Sequence, residues 1–337
     1  MYSFAIWVTT KCNMRCSYCY EGNEKESFIL DKKTADEIVS FILSKVNKSE
    51  ITIIDFHGGE PLLNFSAIKY IVEKLKNEYS EYDFTYGITT NGTINTPDIL
   101  DFLAKNFSYS LSVSLDGTRN AHDSNRLLAS GEGSYYKAMD TALILLKNKK
   151  RHDLRVRMTV VPNNVEELAE GVIDLIEKGF KIIIPVVDCY NKSWEKSDLE
   201  IIRVQLGTIK EYLIDNNLLS SVVVAMVNES NHLLGECGGG ITSFHILPNG
   251  DIYPCAYSVG NAEEKIGDIY QGINQKRIRY FTQIYSKPNE ECEGCADYEK
   301  CVSTRCKFLN HSVMGEYTKP IPTICAVENI KHDMSTH

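Results

Sequence analysis

The sequence predicts an α/β protein with a parallel sheet, followed by a small cysteine-rich part. Strand-like and helical segments alternate over residues 1–187, and this texture changes after residue 219. Of the eleven cysteines, three lie within the first 19 residues and seven lie from Cys237 onward. Strands separated by helices of this length imply βαβ units. Six such units are typical of an open or partial (β/α)6 barrel that resembles part of a TIM barrel.

The first part is predicted from apolar runs of β type and from helical apolar spacing. Thr96 before Pro97 is a typical helix start, and Gly179 after Lys178 is a typical helix stop. The predicted strands are 4–9, 51–56, 83–89, 109–115, 154–161 and 181–187, and the predicted helices are 32–46, 65–79, 97–106, 134–149 and 165–178.

The second part begins with one long helical pattern over residues 193–219, which we interpret as a bridge. Residues 241–247 and 252–254 flank a Pro-Asn-Gly-Asp turn and predict a β-hairpin. Beyond residue 262 we expect loops cross-linked by metal clusters, because burial alone would not stabilise so little apolar sequence. The predicted divisions are 1–190 for the barrel, 191–235 for a helical bridge and 236–337 for the cysteine-rich domain.

The composition of the chain excludes several classes of protein. The net charge of -9 gives no basic surface for nucleic acid or anionic membranes. No apolar run approaches the roughly 20 residues of a spanning helix, and the start lacks the features of a secretion signal. We therefore expect a cytoplasmic location. Disulfides are rare there, and cysteines separated by two or three residues are typical of metal ligands, so we predict metal or clusters instead.

The most informative motif follows the first predicted strand directly. Cys12, Cys16 and Cys19 form the pattern Cys-x3-Cys-x2-Cys. Three thiolates on one short loop can hold three irons of a four-iron cluster. The loop has no fourth cysteine, so the motif predicts one iron that is open to a ligand from outside the protein.

This loop resembles that of the radical S-adenosylmethionine (SAM) enzymes, including Tyr18 before the third cysteine. The second predicted strand ends in His57-Gly58-Gly59-Glu60-Pro61, which resembles the Gly-Gly-Glu-Pro motif of that family. The resemblance implies that a [4Fe–4S] cluster reduces SAM, and that the resulting 5′-deoxyadenosyl radical abstracts a substrate hydrogen. We expect the two glycines to allow close approach of SAM, and Glu60 to accept from its ammonium group.

Further SAM contacts are predicted at later strands. Ser114 lies in a segment that resembles the Ser-x-Asp-Gly sequence of the family, where the serine meets the ribose. Asn91 lies in a Thr-Asn-Gly segment that also resembles the family, and Arg126 is a candidate partner for the SAM carboxylate. Ordinary turns are the alternative for Asn91-Gly92 and Asp116-Gly117. The predicted cofactor-binding residues are Tyr18, Gly58, Gly59, Glu60, Asn91, Ser114 and Arg126.

The later cysteines resemble the SPASM extension of radical SAM proteins, which holds two auxiliary [4Fe–4S] clusters. One gap departs from the usual pattern, with four residues before Cys306 instead of three. A zinc ribbon at Cys292 and Cys295 is the alternative. The resemblance implies an outer cluster on Cys292, Cys295, Cys301 and Cys325 and an inner cluster on Cys237, Cys255 and Cys306, which gives three [4Fe–4S] clusters in all.

The inner set has only three cysteines. The stretch 238–243 offers no fourth, and for the spare Cys189 we favour a buried, unligated thiol. An open inner iron would allow direct binding of a substrate thiolate or alkoxide. No catalytic residue is assigned. Tyr20, His57, Asp188 and His245 are positioned near the predicted site, although ordinary satisfied polar roles are favoured for most of them.

The favoured function is that of a maturase for a ribosomally made peptide (RiPP), which forms a thioether or a carbon–carbon cyclophane. The segment 237–240 resembles the Cys-Gly-x-Gly opening of such maturases. Sulfatase maturation is an alternative, but those enzymes carry an acidic residue where Ala256 follows Cys255. Two further alternatives are a radical SAM oxidoreductase for small molecules, including tetrapyrroles, and a non-enzymatic iron–sulfur electron carrier or sensor.

The resemblance also implies partners. These are a peptide or protein substrate and an external electron donor of the flavodoxin or ferredoxin type. Because the first strand is predicted to begin almost at Met1, a leader-binding domain is not expected before it. A separate leader-binding protein, minimal leader recognition or a substrate without a leader are the open alternatives.

Overall fold

An eleven-stranded sheet organises the chain, in the order β13-β12-β11-β10-β1-β3-β4-β5-β7-β8-β9. The structure is a computed structural model that describes residues 1–22, 26–147, 153–228 and 235–336. Its strands are β1 Tyr2–Thr9, β2 Met14–Cys16, β3 Thr52–Gly58, β4 Phe84–Thr90, β5 Ser110–Ser114, β6 Arg126–Leu128, β7 Arg155–Val160, β8 Ile182–Val187, β9 Val223–Val224, β10 Ser243–Ile246, β11 Asp251–Tyr253, β12 Gly267–Asp268 and β13 Gly272–Ile273.

The helices cover the outside of this sheet and the cysteine-rich end. They are α1 Lys32–Leu43, α2 Phe65–Glu78, α3 Pro97–Asn106, α4 Arg119–Asp123, α5 Tyr135–Lys147, α6 Leu168–Glu177, α7 Lys196–Asp215, α8 Gln275–Tyr285, α9 Val302–Arg305, α10 Lys307–Met314 and α11 Pro322–Thr336. None of the described helices is long and apolar enough to cross a membrane.

The six predicted strands are confirmed as β1, β3, β4, β5, β7 and β8, which pair in parallel and in chain order. The helices between them are also confirmed, with ends that differ by a few residues. The last two residues of the predicted helix 134–149 lie outside the described residues. The α/β prediction with an open, mostly parallel sheet therefore holds.

The two faces of the sheet differ in chemistry, because successive side chains of a strand point to opposite faces. Phe4 and Ile6 of β1 belong to the large core beneath the helices, whereas Trp7 packs on the other face with Leu247 and Tyr253. That second face also carries polar groups of β3, β7 and β10, which are Asp55, His57, Arg157 and His245.

The predicted hairpin is confirmed as β10 and β11, but it is part of the main sheet. Strand β10 pairs in parallel with β1, with Ala5 opposite His245. The two-residue strand β9 extends the opposite edge beside β8. The cysteine-rich part therefore shares backbone hydrogen bonds with the barrel strands. The division into three units remains a prediction.

The expectation of a loop-rich chain beyond residue 262 is wrong. Helices α8, α10 and α11 occupy much of it, and Phe281 and Phe308 lie in the main core with ring centroids 5.1 Å apart. Their apolar positions are few, so the periodic signal is weak, and packing against the sheet supplies the stability. The predicted bridge helix 193–219 is the shorter α7, which packs against α6 and α11.

A second, two-stranded sheet was not predicted. Residues of β2 within the first cysteine loop pair antiparallel with β6, with Cys16 opposite Arg126. Three residues per strand are too few to give an alternating pattern. This small sheet fixes the cysteine loop to the segment that follows β5.

We predict opposite effects for two helical Gly→Ala changes. A Cβ at Gly171 in α6 would lie 2.6 Å from the Cα of Gly117, whereas a Cβ at Gly207 in α7 would meet nothing within 4 Å. Alanine gains about 1 kcal/mol of helix propensity, and overpacking costs about 1–3 kcal/mol. Gly207→Ala should therefore raise the urea midpoint of unfolding and Gly171→Ala should lower it. Equal midpoints for both variants would contradict the close approach.

Candidate active site

The first cysteine loop lies at the C-terminal end of β1. Cys12 and Cys19 are exposed and Cys16 is half-buried. Although Cys12 is exposed as a residue, the surrounding protein partly desolvates its sulfur and raises the pKa of the thiol to about 11. The nearby charges of Glu60, Cys16 and Cys19 also raise this pKa. Thiolates gathered in this way repel one another, so a positively charged metal cluster would relieve the repulsion. The donor set therefore fits an iron–sulfur cluster.

The glycine motif at the end of β3 holds this loop. A Cβ at Gly58 would lie 2.1 Å from the carbonyl oxygen of Thr9, and one at Gly59 would lie 2.4 Å from that of Lys11. The backbone nitrogen of Glu60 donates to the Lys11 oxygen at 2.9 Å. The absence of side chains at both glycines is thus required by the cysteine loop itself. Their predicted contact with SAM remains a prediction.

Glu60 links the motif to the end of β4. Its side chain is 1% exposed, and burial raises the pKa of its carboxyl group although hydrogen bonds oppose this. Oε1 accepts from Thr90 Oγ1 at 2.7 Å and from the Leu62 nitrogen at 3.1 Å, and Oε2 accepts from the Asn91 nitrogen at 2.7 Å. Because each carboxylate oxygen has two lone pairs, Oε2 has capacity for another donor.

Asn91 joins this motif to the cysteine loop. Its Nδ2 donates to Asn13 Oδ1 at 2.9 Å and approaches Cys12 Sγ at 3.9 Å. Asn91 therefore lies beside the first cysteine of the loop. This position is compatible with its predicted role as a site residue. Asn13 was not predicted, because a lone asparagine within the cysteine motif carries no distinctive signal.

Tyr18, Asp116 and Arg126 form a buried network beside Cys16. The Tyr18 hydroxyl donates to Asp116 Oδ2 at 2.5 Å and accepts from Arg126 Nη1 at 2.7 Å. Burial opposes the charge of Arg126, but the neighbouring Tyr18, Cys16 and Asp116 raise its pKa and keep it charged. Within the described part of the chain, its buried Nε has no hydrogen-bond partner. An anionic ligand could accept from this atom.

Of the residues predicted to bind SAM, Tyr18 and Arg126 are thus brought together. Ser114 lies at the end of β5, half-buried and opposite Arg157, and is not part of the described Tyr18–Asp116–Arg126 network. Sequence reasoning treated Asp116 only as a turn former. Its role in the network was missed, because it depends on Tyr18 and Arg126 from distant segments.

His122 connects the backbone of this network through hydrogen bonds. His122 is fully buried, and its Nδ1 accepts from the Asp116 nitrogen at 3.3 Å. Its Nε2 lies 2.8 Å from Ser134 Oγ, which donates to the Arg126 carbonyl at 2.7 Å. This arrangement requires a neutral ring with its proton on Nε2. Burial and the charge of Arg126 lower the pKa of His122 to about 3.

Four of the later cysteines are brought together by the fold. Cys292, Cys295, Cys301 and Cys325 line one small cavity. Burial raises the pKa of Cys255, and the thiols of Cys306 and Cys237 add to the effect. Among the described residues, no three His, Cys, Asp or Glu side chains converge on a single-ion site. A four-iron cluster is larger than one ion and is held by thiolates that stand further apart.

The four other candidates have different surroundings. Asp188 accepts from the Tyr190 nitrogen at 3.0 Å. The Tyr20 ring stacks with that of Tyr190 at a centroid distance of 6.4 Å and is tilted against that of Tyr257 at 5.9 Å. His57 stacks on Trp7 at 5.2 Å and lies 6.2 Å from His245.

The two histidine rings have unused hydrogen-bonding capacity. The Nδ1 atoms of His57 and His245 are buried without a partner in the described structure. Burial and the neighbouring His57 lower the pKa of His245 to about 3. His245 is therefore neutral at neutral pH.

The chain matches two known protein families. A model described as the radical SAM superfamily matches residues 6–176, just over half of the 337 residues. The chain belongs to the radical SAM superfamily. A second model, an iron–sulfur cluster-binding domain called SPASM, matches residues 237–296. The family prediction and the prediction of an enzyme are confirmed.

Two named relatives of this radical SAM SPASM enzyme and one solved structure align with most of the chain. The cysteine-type anaerobic sulfatase-maturating enzyme of Clostridium novyi is 26% identical over 332 residues, which covers 88% of this chain and 85% of that protein. The antilisterial bacteriocin subtilosin biosynthesis protein AlbA of Bacillus subtilis is 27% identical over 327 residues, which covers 90% and 64%. The structure of anSMEcpe with bound AdoMet and Kp18Cys peptide has the same fold, with a TM-score of 0.80, 20% identity, and coverage of 99% and 97%.

We predict that His122 makes stability fall in acid. Its folded pKa of about 3 lies below the unfolded value of about 6.5, so the unfolded chain binds the extra proton between these values. Its contribution is complete above pH 6.5 and is lost as the pH falls, at up to about 1.4 kcal/mol per pH unit. The urea midpoint should therefore depend less steeply on pH between about 6.5 and 5 in His122→Gln.

Ser134→Ala is the matched control. It removes a hydroxyl group from the same network but no titrating group. It should lower the midpoint while keeping the steep pH dependence of the unmodified protein. A slope in His122→Gln as steep as in Ser134→Ala would contradict the neutral state of His122.

Proposed function

We propose that this chain is a radical SAM peptide maturase that forms a thioether or carbon–carbon crosslink in a peptide. The observation that carries the SAM chemistry is the buried network at the strand ends, where Arg126 with its unpartnered Nε lies beside Cys16. The peptide substrate is supported by relatives named for bacteriocin biosynthesis and by the peptide complex of anSMEcpe.

Cys12, Cys16 and Cys19 would hold the first [4Fe–4S] cluster. When bound, this cluster and SAM supply a 5′-deoxyadenosyl radical that abstracts hydrogen from the substrate. Glu60 Oε2 would accept from the SAM ammonium group, and Arg126 Nε would donate to its carboxylate. Tyr18 and Asp116 would keep the guanidinium in place. The later cysteines would hold two auxiliary [4Fe–4S] clusters.

The polar face of the sheet would receive the peptide. It combines the half-buried Asp55, whose pKa is raised by desolvation, with His57 and Arg157, so one face of the sheet carries both hydrogen-bond donors and acceptors. Crosslinking through a thiol releases the thiol proton. The neutral imidazole of His245 on this face is a candidate to accept it. An external flavodoxin or ferredoxin and a leader-binding protein are proposed partners.

Sulfatase maturation is the second candidate function. It is favoured by the Clostridium novyi relative, which aligns over most of both chains. In this reaction a cysteine or serine side chain becomes formylglycine. Ala256, where the acidic residue of such enzymes would follow Cys255, argues against it.

The test of the radical chemistry uses the triple variant Cys12→Ala, Cys16→Ala and Cys19→Ala. Anaerobic reconstitution should give about twelve irons in the unmodified chain and about eight in the variant, from four per cluster. Chromatography of reactions with SAM and dithionite should detect 5′-deoxyadenosine only from the unmodified chain. Turnover retained by the triple variant would refute the site.

Mass spectrometry of a cysteine-containing peptide distinguishes the two reactions. A crosslink removes two hydrogens, retains the sulfur and leaves no thiol to alkylate. Formylglycine formation removes the sulfur and creates an aldehyde that reacts with hydrazines. We expect the first outcome with peptides encoded near the gene of this enzyme. An aldehyde product from sulfatase-type peptides would establish the second function instead.

A further inference from the structure

Cys189 lies in the loop that follows β8, next to the C-terminal end of that strand. The loop is fixed, because Asp188 Oδ1 accepts from the Tyr190 nitrogen at 3.0 Å and the Asp188 carbonyl accepts from Trp194 Nε1 at 2.8 Å. Cys189 lies between these anchored residues and is half-buried. Its backbone position is therefore constrained by hydrogen bonds within this loop.

Cys189 is nonetheless close to the cysteines of the inner set. Cys189 and Cys306 both pack against an apolar cluster made of Cys301, Leu309, Ile321 and Ile324. The hydroxyl groups of Tyr190 and Ser312 lie 2.5 Å apart, which ties the loop to α10, the helix that Cys306 caps.

The remaining cysteines of the inner set lie close enough for their charges to raise one another's pKa. Cys189 interacts with Cys306, and Cys255 interacts with both Cys306 and Cys237. Tyr257, which stands two residues after Cys255, interacts with Cys189, Cys255 and Cys306. Four thiols from four separate chain segments thus surround one region.

We infer that Cys189 is the fourth protein ligand of the inner auxiliary cluster. This inference rests on the proposed content of two auxiliary clusters. The sequence favoured an unligated thiol, but the structure packs Cys189 against the same apolar cluster as Cys306. The charges of Asp188 and Cys306 raise the pKa of its thiol. Acidic groups gathered in this way are stabilised by a cation.

The total number of cysteines is consistent with Cys189 as a cluster ligand. With Cys189 included, all eleven cysteines have a place, three in the first loop and four in each auxiliary set. All irons of the inner cluster are then ligated by protein. A substrate thiolate then does not bind that cluster directly, and the polar face of the sheet remains the proposed binding site for the peptide. Cys189 also joins the barrel covalently to the cysteine-rich part through the cluster.

The test is spectroscopic and does not depend on the peptide reaction. The full chain with Cys12, Cys16 and Cys19 replaced by alanine is reconstituted anaerobically, so that only auxiliary clusters remain. Cys189→Ala and Cys189→Ser are compared in this background. Lys192→Ala, an exposed change in the same loop, is the control. Iron content and electron paramagnetic resonance of the reduced protein are measured with and without β-mercaptoethanol as the thiol probe.

With Cys189 present, and in the Lys192→Ala control, we expect about eight irons and a spectrum that the thiol does not change. Cys189→Ala should either lose iron from one cluster or keep a cluster whose spectrum shifts when the thiol is added. Cys189→Ser should keep the iron with an altered spectrum, because its hydroxyl group can replace the thiolate. This variant separates ligation from a folding defect.

Two results would overturn the inference. One is a Cys189→Ala protein whose iron content and spectrum equal those of the Lys192→Ala control. The other is a thiol-induced shift in protein that retains Cys189, because that shift requires an open iron. Only about four irons in the background variant would instead refute the content of two auxiliary clusters on which the inference depends.

Discussion

The contact between the first cysteine loop and the Gly58-Gly59 segment is the constraint on which the site depends. Two strand ends approach so closely that a Cβ at either glycine would lie within 2.4 Å of a backbone oxygen of the loop. Gly58 also has a φ of +138°, which side chains of L residues rarely adopt. This contact sets the cysteines beside Glu60, and the β2–β6 pairing then sets Arg126 beside Cys16.

The main free-energy cost of this arrangement is the burial of charged side chains. Glu60, Asp116 and Arg126 are all nearly inaccessible to water, and each has partners that compensate only in part. Removing one member of a buried charged pair costs about 3–5 kcal/mol, far more than an exposed pair contributes. The neutral His122 contributes by orienting the backbone of Asp116 and Arg126 without adding another charge.

The cysteine-rich part is joined to this site by the sheet. Because β10 pairs with β1, His245 and the first cysteine loop are supported by neighbouring strands of one hydrogen-bonded layer. The amphipathic helices α8, α10 and α11 were not predicted, since their apolar positions become meaningful only against that layer. The aromatic cluster of Phe281, Phe308 and Tyr317 shows how they join the main core.

The six parallel strands, the cysteine spacings and the family could be predicted from the sequence, because these features are local. Alternating apolar runs and fixed cysteine spacings need no distant partner to be recognised. Three features depend on tertiary contacts instead: Asp116 and His122 support Arg126, the glycines hold the loop, and Cys189 packs against the same cluster as Cys306. These contacts join residues far apart in the chain. They arise because parallel strands bring all their carboxyl ends to one edge of the sheet.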